Sequence, residues 1–198
     1  MAGPTVLHLL LVHLGPSVTA GQREALVEGL TALQSVKGVL HMGRVEGREG
    51  VSTHDLALFV YLLDAAALER FGTHPLLMEY LQRSFLPVVG DFVSMDVAVD
   101  GGPVEGYGAA LCFCLDFRAD TYDWQVRAVL EQVAGNTDKG RILGAGVGVA
   151  LNQRQPFRAG GLVFAASAAD LNDVRLPPPD ADAASRFVAV SGAAFPLE

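Results

Sequence analysis

Cysteine is scarce. Cys112 and Cys114 are the only two in 198 residues. Spaced by two in an apolar stretch that reads as a strand, they project from one face, where near neighbours on a single strand cannot reach disulfide geometry. A disulfide framework is excluded, and both thiols read as core residues of a reducing compartment. Charge is also sparse, at 18% of residues, and basic charge especially: 14 Lys plus Arg stand against 22 Asp plus Glu, a net charge of −8. No basic stripe exists to neutralise phosphates, so nucleic acid and anionic membrane surfaces are poor partners. Long hydrophobic runs are missing too. Residues 6–14 are apolar but too few to span a bilayer, hold His8 and His13, and lack the basic segment before and the small-residue cleavage site after that a signal peptide shows. They read as a strand, and the cytoplasm is the expected location.

What is abundant is apolar side chain, 51% of the chain. That excludes disorder for most of its length, and 198 residues can hold one large domain or two of about 100 residues each. Residues 6–14 predict a first strand, stopped by Gly15 and Pro16. Thr19 with Gln22 three residues later is a capping-box signature, and Leu26, Val27, Leu30 and Leu33 recur at helical spacing until Gly38. Strands are expected over 39–45 and 54–63, the second a near-continuous apolar run suited to a central position. Asp64 can cap a short helix over 65–71. Thr73, His74 and Pro75 start another, with proline where its missing N–H costs nothing, and Leu77, Tyr80, Leu81, Ser84 and Phe85 supply its apolar face. A strand over 92–99 closes a β-α-β-β-α-β unit, the ferredoxin-like plan.

The Gly-rich, acidic segment 100–108 reads as a linker, after which a similar order begins again. Strands are expected over 109–117, 141–151, 161–168 and 186–195, with a helix over 121–134 carrying Trp124, Val126, Val129, Leu130 and Val133 and ending at Gly135 and Asn136. A second helix is compressed, because Pro177, Pro178 and Pro179 cannot lie inside one. The chain therefore divides into units at 1–104 and 105–198, the second a degenerate copy of the first. All five histidines fall in the first unit, which is where chemistry is sought.

Other patterns resolve into structural readings. Gly140, Gly144, Gly146 and Gly148 follow a helix and lack the Lys-Ser/Thr of a phosphate loop, so they predict a strand that another backbone approaches closely. Asp170, Asp173, Asp180 and Asp182 have no calcium-loop spacing and read as a solvated loop. The three prolines read as a rigid connection. His13 and His41 read as exposed strand residues, and His74 as part of a cap and turn.

His8 near the start of strand one, Thr53-His54-Asp55 entering strand three, Thr73-His74-Pro75 at a helix start, and Asp96 in the apolar closing strand together resemble the stress-responsive α/β-barrel (Dabb) domain over residues 4–99. The resemblance implies an α+β fold in which two ferredoxin-like sheets pair, usually between two chains, as in the dimeric α/β-barrel superfamily. Two copies in one chain imply an intramolecular barrel, a pseudo-dimer running as a monomer. The family includes stress-induced proteins and a polyketide cyclase. The cyclase motif is matched by His8 and His54, but its tyrosine and histidine proton-transfer pair falls on Phe71 and Leu77, neither of which can move a proton.

His8 and His54 are the candidate catalytic residues. On strands expected to be adjacent, they share a ligand or a proton if they face the same side, and are otherwise buried histidines tied to backbone or carboxylate partners. Asp55 is expected on the opposite face from His54. Two histidines without a matched carboxylate or thiolate do not make a metal site, and no metal or cofactor is expected. The implied ligand pocket is lined by Phe71, His74, Leu77, Tyr80 and Leu81. Three functions follow: a non-catalytic binding or scaffold module of the stress response, with a small hydrophobic ligand or a protein partner; a cyclase-like enzyme using His8 or His54 on a hydrophobic substrate; and a structural subunit of a larger assembly.

Overall fold

A computed structural model describes residues 4–135, 141–152, 155–174, 176 and 184–197. The first unit runs β1 (Thr5–Leu14), α1 (Ala20–Thr31), β2 (Val39–Glu46), β3 (Leu56–Leu62), α2 (Ala65–Gly72), α3 (Pro75–Tyr80) and β4 (Val89–Val99). The second runs β5 (Ala109–Phe117), α4 (Asp123–Gly135), β6 (Ile142–Val149), β7 (Ala159–Ala165) and β8 (Ala184–Pro196). Between β7 and β8 the described residues hold only a 3-10 turn, Asp170–Asp173, in place of a second helix pair. Pro177, Pro178, Pro179, Asp180, Asp182, Asn136 and Gly140 lie outside the described residues.

Local chemistry sets the helix starts. The Thr19 hydroxyl accepts the Gln22 N–H while the Gln22 side chain accepts the Thr19 N–H, completing the capping box. Asp64 caps α2 by accepting the Ala67 N–H at 2.7 Å. His74 caps α3, its Nδ1 accepting the Leu76 N–H with Pro75 in the first turn. Gly38, at φ 102, takes the left-handed conformation that turns the chain into β2.

All eight strands form one curled antiparallel sheet in the order β4-β1-β3-β2-β8-β5-β7-β6. Each unit contributes four strands, and the two join where β2 meets β8 through Gly43–Val45 and Ala194–Pro196. Beyond that short pairing the β2–β3 loop takes over. Thr53 N–H donates to the Ala189 carbonyl, the Thr53 hydroxyl accepts the Ala189 N–H, and the Ser52 hydroxyl accepts the Ser191 N–H. Two side-chain hydroxyls thus stand in for strand backbone. The ring closes on the far side, where β4 meets β6 through the Val97–Ala150 bridge.

Alternation in the strands makes three cores. Leu7, Leu9, Leu11, Phe59, Tyr61, Met95, Cys112, Cys114, Phe164 and Val190 point into the barrel and pack there with side chains from both units. The opposite faces pack against helices: Val12, Leu58, Val60 and Leu62 with Leu26, Leu30, Phe71 and Tyr80 in the first unit, and Leu111, Phe113 and Val163 with Val126, Leu130 and Val133 of α4 in the second. Both cysteines therefore share the barrel face, buried and unpaired, and burial pushes the Cys114 thiol up to about 12.

The β6 glycines do what their spacing predicts. A Cβ on Gly148 would overlap the Ala98 carbonyl of β4, one on Gly146 would lie 2.6 Å from the Tyr61 hydroxyl, and one on Gly144 would lie 2.7 Å from Val104. Side-chain-free positions let β6 close against β4 and leave room for a phenol inside the ring.

Candidate functional site

The register separates the two candidate histidines. His8 pairs with Val60 across β1 and β3, and Val12 pairs with Leu56. His54 precedes Leu56 by two residues, so it lies six positions along from Val60, about 20 Å at the rise of a strand. His8 and His54 share no site. The physical reason is the antiparallel register, which sets residue 54 beyond the end of β1 that faces Leu56 while His8 lies near its start; β3 itself begins at Leu56, two residues later than the apolar run suggests, and the Thr53 hydroxyl bonds the preceding segment to β8.

His8 faces the helices and not the barrel interior. Its Nδ1 lies 2.6 Å from Asp96 Oδ1, its cross-strand neighbour on β4. Its ring centroid is 6.2 Å from that of Phe71 on α2. The second unit holds Asp96 from the other side: Gln155 Nε2 donates to Asp96 Oδ2 at 3.0 Å, Gln155 Oε1 accepts the Asp96 N–H at 3.1 Å, and Leu151 N–H donates to the Asp96 carbonyl at 2.9 Å. With the carboxylate on Nδ1, the imidazole is held in one orientation and its Nε2 is left without a hydrogen-bond partner among the described residues.

The five residues expected to line a pocket sit in and around the helix-side core. Phe71 and Tyr80 are buried in it, Leu77 and Leu81 pack against it, and the His74 Nδ1 is taken up by the helix cap. The Tyr80 ring lies where a Cβ on Gly29 would come within 2.8 Å, so α1 and α3 approach closely there, and its buried hydroxyl has no partner.

His54 is 8% exposed and stacks on His13, with ring centroids 4.2 Å apart and planes at 19°. Burial and the neighbouring His13 lower its pKa, while Asp91 and Asp55 act in the opposite direction. Asp55 was expected on the other face. It joins the same cluster, its Oδ2 accepting the Leu14 N–H at 2.9 Å and lying 3.6 Å from His13 Nδ1, because both residues precede the strand and alternation does not govern them. A pocket of about 440 Å³ opens beside these groups, walled by Arg23, Arg48, Ser52 and Thr53.

His41, expected to be an exposed strand residue, is half-buried. Its Nε2 lies 2.7 Å from the hydroxyl of Tyr107, which the linker folds over the end of the barrel, and desolvation lowers its pKa. Phe59, Tyr61, Tyr107 and Phe164 fill that end, with ring centroids 4.8 to 6.5 Å apart. The Tyr61 hydroxyl is buried there without a partner. Sequence reasoning missed Gln155, Arg48 and the His41–Tyr107 pair. Asp96 stood in the motif, and pairing β1 with β4 in antiparallel register would have set it against His8.

Residues 6–99 match the profile of the Stress responsive A/B Barrel Domain, Dabb. The first unit is a Dabb domain. The match spans β1 through β4 and includes His8, His54, His74 and Asp96. No curated protein matches the chain. Among solved structures, the chain resembles a candidate monooxygenase of Fusobacterium nucleatum subsp. nucleatum, at 10% identity and TM-score 0.65, covering 100% of this chain and 94% of that one. An anthrone oxidase-like protein is similar at 11% identity and TM-score 0.66, over 100% and 94% of the two chains. So is the chlorite dismutase of Candidatus Nitrospira defluvii, solved with imidazole, at 10% identity and TM-score 0.62, over 100% and 93%. At such identities the likeness concerns the fold alone. Among the described residues no helix is long and apolar enough to cross a membrane.

Proposed function

We propose that the protein is a binding or scaffold module of the stress response, in which the Dabb unit of residues 1–104 is completed by a degenerate copy at 105–198 and carries no strong catalysis. The observation that supports this reading most is the fate of the two positions where a cyclase would hold its proton-transfer pair. They are Phe71 and Leu77, which lack titratable groups and pack into the helix-side core. His13 and His54 stand at the opposite end of β1, out of reach of His8.

One observation favours a second reading, a cyclase-like enzyme. The His8–Asp96 pair has the form of an oriented general base, with a carboxylate on Nδ1 and a free Nε2 beside the apolar Phe71 ring. The two separate in a single assay. The purified protein is incubated with a linear poly-β-keto thioester and ring closure is followed by absorbance. The module reading expects no product above the buffer rate and no change in His8→Ala or His54→Ala. Product formed by the wild type and reduced tenfold or more in His8→Ala would overturn it.

A further inference from the structure

We propose that the pocket between the end of β1, the β2–β3 loop and α1 is a binding site for an oxyanion, the carboxylate or phosphate of a small molecule. The site is separate from the His8–Asp96 pair and holds whether or not that pair is catalytic.

The pocket encloses about 440 Å³ and brings together four nitrogen-bearing side chains, His13, Arg23, Arg48 and His54. Arg48 is the strongest argument. It lines the pocket, and its Nη2 donates to the neutral carboxamide of Asn172 at 3.2 Å. A guanidinium is always charged and presents a planar fork of N–H donors, for which an anionic oxygen is the strongest acceptor. The acids nearby are committed elsewhere or stand at the rim. Asp55 accepts the Leu14 N–H and lies against His13, Glu46 pairs with Arg23 and Arg44, and Glu49 is exposed. Arg48 has no carboxylate partner among them.

The imidazoles add proton coupling. The Thr53 hydroxyl donates to the Ala189 carbonyl at 3.0 Å, so the 2.8 Å contact with His54 is a donation from His54 Nδ1–H. Neutral His54 then keeps a bare Nε2, which becomes a donor only on protonation. Protonating both rings of a stack at 4.2 Å places two like charges face to face, which an anion beside them relieves. The groups acting on His54 are His13 and burial, which disfavour its charge, and Asp91 and Asp55, which favour it. Arg23, Arg48 and Glu49 line the same space. An arriving anion therefore draws a proton onto His54, whose bare Nε2 then donates, and binding tightens as pH falls. The walls are firm, since Ser52 and Thr53 spend their hydroxyls on β8, leaving Arg48 and the histidines to meet the ligand.

The test titrates the full chain with inorganic phosphate in one arm and acetate in the other, at pH 6 and pH 8, reading the His13 and His54 ring resonances by NMR and heat by calorimetry. The expected result is saturable binding of at least one anion, at least tenfold weaker at pH 8 and at least tenfold weaker in Arg48→Met. The arm that saturates tells phosphate from carboxylate. Arg48→Gln serves if Arg48→Met does not fold, as judged by circular dichroism. The proposal is overturned by no saturable binding of either anion, by equal affinity in the Arg48 variant, or by affinity that does not change with pH.

Discussion

Gln155, carried by the second unit, grips Asp96 of the first twice: its amide nitrogen donates to the carboxylate and its amide oxygen accepts the Asp96 N–H. Through Asp96 it fixes His8, so a residue outside the Dabb match sets the geometry of the strand-one histidine. Replacing it with leucine removes both bonds and leaves the Asp96 N–H unpaired at the seam. Gln155→Leu should cost about 1–3 kcal/mol in urea unfolding and broaden the His8 ring resonance. A change of no more than roughly 0.3 kcal/mol would show that the seam does not depend on the amide.

The closing seam also depends on a missing side chain. Gly148→Ala would push a methyl into the Ala98 carbonyl, and should cost on the order of 1–3 kcal/mol, the usual range for overpacking. Gly21→Ala is the control, because nothing lies within 4 Å of its added Cβ and it sits in α1. That change should stabilise by roughly 0.5–1 kcal/mol, as glycine is a poor helix former. Thermal melts of the two variants should move in opposite directions.

Two phenols in the barrel differ in sign. Tyr61 buries a hydroxyl without a partner, while Tyr107 bonds to His41. Tyr61→Phe should leave stability unchanged or raise it by up to about 1 kcal/mol, and Tyr107→Phe should lower it by about the same amount. Denaturation midpoints of the pair, compared at equal slope, decide the matter.

Burial lowers His41 and His54 below the ordinary histidine value of 6.5, so the folded state favours their neutral forms. Their contribution is complete above pH 6.5 and is lost as pH falls through that value toward the folded-state pKa, because the unfolded chain binds the proton more readily. The urea midpoint should therefore decline between pH 7.5 and 5.5, and His41→Gln, which can still bond to Tyr107, should flatten the decline. A midpoint that rises over this window would contradict the sign.

The sequence yields those parts of the structure whose causes are local. Thr19 with Gln22, Asp64, and His74 with Pro75 each announce a helix start because the cap is formed by residues within three positions of one another. The β6 glycines could be read as close-approach positions, although not which backbone would approach. What escaped depends on register or on side chains standing in for backbone. The His8–Asp96 contact spans 88 positions in the chain, and becomes visible only once β1 and β4 are aligned. His54 seemed to belong to a strand, but Thr53 ties the segment to β8 across 136 positions. His41 looked exposed because nothing in its own strand shows that the linker lays Tyr107 over it.

Both joins of the ring, β2 with β8 and β4 with β6, are made within one polypeptide. Closing the barrel is therefore a first-order event, set by the reach of the segment between β4 and β5 and not by how often two molecules meet. Dilution does not open it. Each half also faces a fixed and different neighbour, so a change on one side of the ring is not repeated on the other. Five histidines can then gather in one half while the facing half answers with glycine, glutamine and packed aromatic rings.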